Sequence, residues 1–256
     1  MTEVGLMSEE IGRLDRGDGQ EVAWRRVAGA GPTVVWLGGF MSDMAGTKAQ
    51  ALADRALAEG RAFLRFDYLG HGESSGDFRD GTISRWRADA IAAIEALTEG
   101  PLVLVGSSMG GWISCLVAAV MPQRLHAMVL IAPAADFTEA LMKPGLPPEA
   151  LAAIEKDGEW IRPSLYEPTG YPITKGLLED GARWTILGAP VPIDVPVRIL
   201  QGREDPDVPW LHALELANAI RSEDVVFTLI KDGDHRLSRD QDIARLLATL
   251  EEILPS

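Results

Sequence analysis

One cysteine, Cys115, stands in a chain of 256 residues. A single thiol excludes an internal disulfide and any cysteine-based zinc site, and it fits a reducing compartment. Cys115 lies in an apolar run and reads as a small core residue rather than a nucleophile. Long hydrophobic runs are missing as well. The longest, at 112–121, holds about ten residues with Ser114 inside it, half of what a bilayer span requires. Positive charge is scarce: 24 Lys and Arg against 38 Asp and Glu leave a net charge of −14. That balance repels phosphate backbones and anionic headgroups, so neither a nucleic-acid nor a membrane partner is expected. The opening "MTEVGLMSEEIGRLD" is acidic where a signal peptide would be basic and then apolar, which points to a cytoplasmic protein. Histidine is scarce too, at four residues, which makes the search for a general base short.

What is present is an alternation of short aliphatic runs and amphipathic stretches. The runs at 33–37, 62–66, 102–106, 127–131, 197–201 and 225–230 read as strands, several of them apolar throughout, as in a parallel sheet covered on both faces. Helical patterns lie between them. One covers 48–59 and stops at Gly60. A second carries Ile83, Trp86, Ala90, Ile94 and Leu97 on one stripe. Pro209 opens a third, and a fourth begins at Ser238 with Gln241 as its capping partner. Ahead of all these, "EIGRLDRGDGQEVAWRRV" reads as an antiparallel hairpin. The expected class is α/β, with right-handed crossovers between parallel strands. The length suits a single domain. Residues 136–190 break the alternation, being proline-rich with no strong strand. They read as a cap inserted into a core made of 1–135 and 191–256, since so long a connection is rarely structureless.

The pattern G-x-S-x-G occurs twice, at 106–110 and at 72–76. Context separates the two. Ser108 directly follows a buried strand and directly precedes an almost wholly apolar helix, the setting of a nucleophile elbow. Glycines at 106 and 110 leave room for a serine held in strained backbone. Ser74 lies in the polar stretch "FDYLGHGESSGDFRDG" with no helix beginning there, and reads as a turn serine.

A serine hydroxyl needs a base, and the base needs a carboxylate to orient it. After an elbow the acid should follow the next-to-last strand and the histidine the last. His71 precedes the elbow, His126 leads into a strand, and His212 sits within a helix, expected on its surface. His235 follows the last strand in "IKDGDHRLSRD" and fits the slot. The acid comes from "GREDPDVPW", which offers Glu204, Asp205 and Asp207. Asp205 is the first choice and Asp207 the alternative. Of the two oxyanion N–H donors, one should be Met109, after the nucleophile. The other should come from "WLGGFMSDM", where Phe40 follows two glycines.

The stretches "FDYLGHGESSG", "GSSMGGW", "GREDPDVP" and "GDHRLS", in this order, resemble the α/β-hydrolase superfamily over nearly the whole chain outside the proline-rich insert. Together with "GFMSDMAGTKA" and "DVPW" they are similar to the mitochondrial palmitoyl-protein thioesterase and acyl-glucuronide esterase group and its bacterial relatives. The resemblance implies a mostly parallel eight-stranded sheet, a triad of Ser108, Asp205 and His235, and an oxyanion hole at Phe40 and Met109. It implies a hydrolase of carboxylic esters or thioesters that needs neither metal nor organic cofactor. The substrate would be a small acyl ester or thioester, or an S-acylated protein. An amidase or peptidase, a C–C bond hydrolase, or a ligand receptor on the same fold are the alternatives. Leu141, Met142, Trp160 and Trp184 are the candidate pocket residues, with Phe137, Leu146 and Tyr166 as further apolar liners in the insert.

Overall fold

The computed structural model describes residues 8–163 and 170–254. Its centre is an eight-stranded sheet. β1 (Glu9–Asp15) and β2 (Glu21–Val27) form the expected hairpin, and β2 pairs antiparallel with β4 (Arg61–Phe66). β3 (Ala30–Leu37), β5 (Leu102–Ser107), β6 (Leu125–Ile131), β9 (Val197–Gly202) and β10 (Val225–Ile230) run parallel to one another and to β4. The spatial order is β1-β2-β4-β3-β5-β6-β9-β10. This is the α/β-hydrolase architecture, a mostly parallel sheet flanked by helices. Each of the six aliphatic runs became a strand; β3, β4, β5, β6 and β9 are paired on both edges, which lets such runs be buried on both faces, while β10 closes the sheet as a less buried edge strand.

Helices cover the two faces. α1 (Thr47–Glu59) ends on Gly60, whose φ of 67° makes the left-handed cap. α2 (Ile83–Leu97) starts at Thr82, whose hydroxyl accepts the Arg85 N–H. α3 (Met109–Ala118) is buried along its whole length. α6 (Trp210–Ala219) and α7 (Asp240–Ile253) complete the core. Two local expectations are corrected. His212 is buried, its Nε2 2.7 Å from the Ala135 carbonyl, because α6 packs on the chain leaving β6 and that oxygen needs a donor. α7 is capped by Arg239 rather than Ser238: the Asp242 carboxylate takes the Arg239 backbone N–H at 3.2 Å and its guanidinium at 2.7 Å. Ser238 Oγ donates instead to the Arg236 carbonyl at 3.0 Å.

The excursion between β6 and β9 is folded. Short turns at Thr138–Met142 and Lys143–Gly145 lead into α4 (Pro148–Asp157). β7 (Glu159–Arg162) and β8 (Tyr171–Thr174) form a separate two-stranded ribbon that precedes α5 (Lys175–Gly181). Ile154, Ile173 and Leu178 make a small core of their own, with Met142, Leu146 and Trp160 against it. Asp136, held at a φ of 53°, ties the two ends of the excursion: its carboxylate accepts the Ile186 and Leu187 N–H groups, each at 2.8 Å. Trp184 Nε1 and the Asp180 carboxylate both bond Ser84 in the first turn of α2. Among the described residues no helix is long and apolar enough to cross a membrane.

Candidate active site

The turn from β5 into α3 is shaped by its glycines. A Cβ at Gly106 would lie 2.4 Å from the Gly110 carbonyl oxygen, and one at Gly110 would lie 2.0 Å from that of Leu37. With that space open, Ser108 adopts φ 55° and ψ −119°, a conformation an L-residue holds only when its surroundings impose it. Its N–H donates to Ile131 and its carbonyl accepts from Gly111 and Ala134, so the elbow is tied to the end of β6. Ser74, the serine of the other motif, lies elsewhere, bonding Asp67 and Ala23 and stitching its loop to β2.

Parallel strands β9 and β10 deliver the remaining pair to the same edge of the sheet. Gly202 lets their exit loops touch: a Cβ there would lie 2.4 Å from the Gly233 oxygen. The buried Asp205 carboxylate uses Oδ1 to accept the Asp207 and Val208 N–H groups, each at 2.8 Å. Oδ2 accepts His235 Nδ1 at 2.8 Å and Gln201 Nε2 at 3.2 Å. A carboxylate can only accept here, so the His235 proton sits on Nδ1 and Nε2 presents a lone pair. That lone pair is 3.1 Å from Ser108 Oγ. Three side chains remote in sequence thus form one hydrogen-bonded line. Asp207 is exposed, and its contribution to the line is a backbone N–H offered to Asp205. Ligand atoms of Asp205, Asp207 and His235 lie within 4.8 Å of one another, but the Asp205 oxygens and His235 Nδ1 are already committed to one another and to N–H donors. The set is therefore a poor cation cage.

Lys48 supports the histidine loop, donating to the Arg236 carbonyl and to Ser238 Oγ. Burial, and then the nearby Arg236 charge, lower its pKa to about 8.

On the other side of Ser108 runs the loop after β3. Gly39 approaches so closely that a Cβ on it would be 3.4 Å from that of Ser108. Phe40 follows, then Met41 at a φ of 56°. Met109 opens α3, so its N–H belongs to the unpaired first turn of a helix whose positive end faces the serine. Among the described residues neither the Phe40 nor the Met109 N–H donates to a protein acceptor, which leaves both open to an incoming oxygen.

The apolar candidates divide. Leu141, Met142 and Trp184 pack partly buried against the main core, and Trp160 belongs to the small cluster of the insert. Trp184 is heavily engaged: Arg87 stacks on its ring at 4.6 Å and its carbonyl accepts Trp112 Nε1. Phe137 lies edge-on to Phe40 at 5.7 Å. Tyr166 lies outside the described residues. Around the Phe40 ring the structure also gathers Phe78 at 4.9 Å, Trp86 at 6.0 Å and Tyr171 at 6.4 Å. Sequence reasoning missed Phe78 and Tyr171, which sit in polar or proline-bearing stretches without periodicity. It also missed His71, whose Nε2 is 3.2 Å from the Met41 nitrogen. Chain order had set that histidine aside as a base, and nothing in the sequence suggested another place for it.

Known proteins resemble this chain in sequence and in fold. A model described as "Alpha/beta hydrolase family" matches residues 28–249. The mouse protein named palmitoyl-protein thioesterase ABHD10, mitochondrial, is 37% identical over 242 residues, covering 94% of this chain and 81% of that one. Its human counterpart is 34% identical, covering 94% and 79%. Among solved structures, one from Agrobacterium vitis S4 superposes with a TM-score of 0.92 at 41% identity, covering 97% and 99% of the two chains. Mouse α/β-hydrolase domain-containing protein 10 does so at 0.87 and 36%, covering 95% and 97%. The names of the curated relatives place them in mitochondria, which does not fit the cytoplasmic expectation drawn from the sequence. With a family model spanning most of the chain, and relatives above 30% identity aligned over nearly all of it, the chain belongs to the α/β-hydrolase family.

Proposed function

We propose that the protein is a serine hydrolase that cleaves carboxylic esters or thioesters by way of an acyl-enzyme on Ser108. The observation that carries this reading is the unbroken hydrogen-bonded line from Ser108 Oγ through His235 to Asp205. As Oγ attacks the acyl carbonyl carbon, His235 Nε2 takes the hydroxyl proton, and the ionised Asp205 steadies the imidazolium. Charge then collects on the former carbonyl oxygen. The Phe40 and Met109 N–H groups receive it, each donor contributing about 3 kcal/mol to the transition state. Collapse of the tetrahedral adduct expels the alcohol or thiol, which takes its proton from the imidazolium. Water, giving its proton to His235, attacks the acyl carbon, and the same steps release the acid and restore Ser108.

The acyl group would lie against the aromatic wall around Phe40, with the 136–190 segment serving as a cap and its partly buried Leu141 and Met142 offering aliphatic surface. Trp160 and Trp184 would shape that cap from behind. The thioesterase names of the relatives favour a fatty acyl thioester, small or protein-borne, among the ester-like substrates.

The test pairs wild type with Ser108→Ala, a fluorophosphonate probe, and p-nitrophenyl esters of short and long acyl chains. Wild type should label and turn over, and Ser108→Ala should lose labelling and at least about 10³-fold in rate. Labelling and turnover that survive in the variant would overturn the nucleophile. A wild type that neither labels nor turns over would favour a ligand receptor on the same fold. Acyl-CoA, S-acyl peptide and acyl-glucuronide run side by side would then separate thioester from ester preference.

A further inference from the structure

We propose that His71 is a positioning residue: as a neutral acceptor for the Met41 N–H, it holds the turn after β3 so that the Phe40 N–H points at the oxyanion. The inference rests on the reading of Phe40 as an oxyanion donor. It starts from the backbone. Met41 is not a glycine yet sits at a φ of 56°, and the turn around it is closed by the Ser42 N–H donating to the Gly39 carbonyl at 3.2 Å. A side-chain-bearing residue stays there only if something outside the turn holds it. The peptide that carries the Met41 N–H adjoins the residue whose N–H must aim at the substrate. Release of Met41 would let both peptides turn.

The restraint is the imidazole of His71. Its Nδ1 lies 3.0 Å from the Leu69 carbonyl, which can only accept, so Nδ1 carries the proton. Nε2 is then a bare lone pair, and it takes the Met41 N–H at 3.2 Å. Only the neutral Nδ1–H tautomer satisfies both partners. Burial favours the neutral ring and pushes its pKa down to about 4. The ring cannot turn away. Tyr68, Phe78 and Trp86 wall it in at centroid distances of 5.7, 5.0 and 5.2 Å, and Trp86 Nε1 shares the Leu69 oxygen at 3.1 Å. Phe78 and Trp86 are also the rings that grip Phe40. One aromatic cluster therefore fixes the Phe40 side chain, while the histidine inside it fixes the adjoining backbone.

A second, separate pin lies three residues on. Asp67 accepts the Met44 N–H at 2.7 Å with one oxygen and the Glu73 N–H at 2.8 Å with the other. It joins the far end of the turn to the loop that carries His71. The loop between β4 and α2, which contains no reacting group, thus acts as a bracket for the oxyanion turn.

The experiment compares His71→Phe and His71→Gln with wild type and with Ser108→Ala. Three readouts serve: steady-state turnover of a p-nitrophenyl ester, affinity for a trifluoromethyl ketone that forms a tetrahedral adduct on serine, and thermal melting. His71→Phe fills the space but leaves Met41 without an acceptor. It should lose on the order of 10- to 100-fold in kcat, with KM within about threefold, and lose trifluoromethyl ketone affinity in parallel. His71→Gln supplies an oxygen acceptor and should recover most of both. A folded His71→Phe with wild-type kcat and inhibitor affinity would overturn the proposal, as would a folded His71→Gln no better than it. Should the variants fail to fold, nitrogen-15 NMR of the wild type decides: a proton on Nδ1 at neutral pH is required, and a proton on Nε2 overturns the proposal. Turnover that survives Ser108→Ala would instead sink the nucleophile assignment, whatever the His71 variants do.

Discussion

Asp205 and Asp207 are two residues apart in "GREDPDVPW", and nothing in the chemistry of orienting an imidazole tells one carboxylate from the other. What separates them is the direction of two backbone N–H groups. Those of Asp207 and Val208 converge on Asp205 Oδ1, which turns Oδ2 toward His235. Asp205→Asn keeps an oxygen for those N–H groups but presents an amide to Nδ1, favouring the wrong tautomer. Turnover should fall about 10⁴-fold with the fold intact, whereas Asp207→Asn should stay within a few-fold of wild type. Measured kcat on one p-nitrophenyl ester decides, and a reversed pair of effects would move the acid to Asp207. Ser108 and His235 were legible because each sits in a slot that chain order defines. His71 and His212 were not, since their roles depend on the carbonyls of Leu69 and Ala135, which only the folded chain brings near.

At the level of elements, the core strands were legible because continuous aliphatic runs have nowhere to go but a sheet covered on both faces. The ribbon of β7 and β8 was not. "EWIR" and "YPIT" are four-residue pieces, and Pro172 in the second is tolerated because each strand of a two-stranded ribbon has a free edge. The two ends of the excursion that carries the ribbon are joined at Asp136, where it leaves the core, through the Ile186 and Leu187 N–H groups. Burial raises the pKa of the Asp136 carboxyl, while those N–H groups hold it down. Asp136→Ala would leave those two N–H groups without an acceptor and destabilise the protein by about 2 kcal/mol, read as a lower urea midpoint. Asp136→Asn, tolerant of positive φ and still an acceptor, should recover at least half of that loss. Equal loss in both variants would show that charge, and not the paired N–H groups, fastens the insert.

For the whole molecule, the bracket behind the oxyanion turn makes a specific statement about pH. Burial raises Asp67 from 3.8 to about 6, with Asp43 and Glu73 adding repulsion. Burial lowers His71 from 6.5 to about 4, against the smaller opposing pull of its hydrogen bond to the Leu69 carbonyl. The two residues act in opposite directions. Between about pH 4 and 6 the folded state holds more protons at Asp67 than the unfolded chain does, so this group costs stability as pH rises, about 3 kcal/mol in all. Between about pH 4 and 6.5 the folded state holds fewer protons at His71, so this group adds stability as pH rises, again by about 3 kcal/mol. In wild type the two slopes offset each other. Replacing one residue should uncover the other. Relative to wild type, Asp67→Asn should gain stability as pH rises from 4.5 to 7, and His71→Gln should lose it over the same range. The double variant should follow the wild-type profile apart from a constant offset. Urea unfolding at closely spaced pH values measures all four proteins, with the remaining carboxylates common to each and so cancelling in the differences. Parallel profiles for all four would mean that neither group is held away from its ordinary pKa by the fold. A double variant whose profile departs from the sum of the singles would measure how strongly the two pins of the turn sense each other's charge.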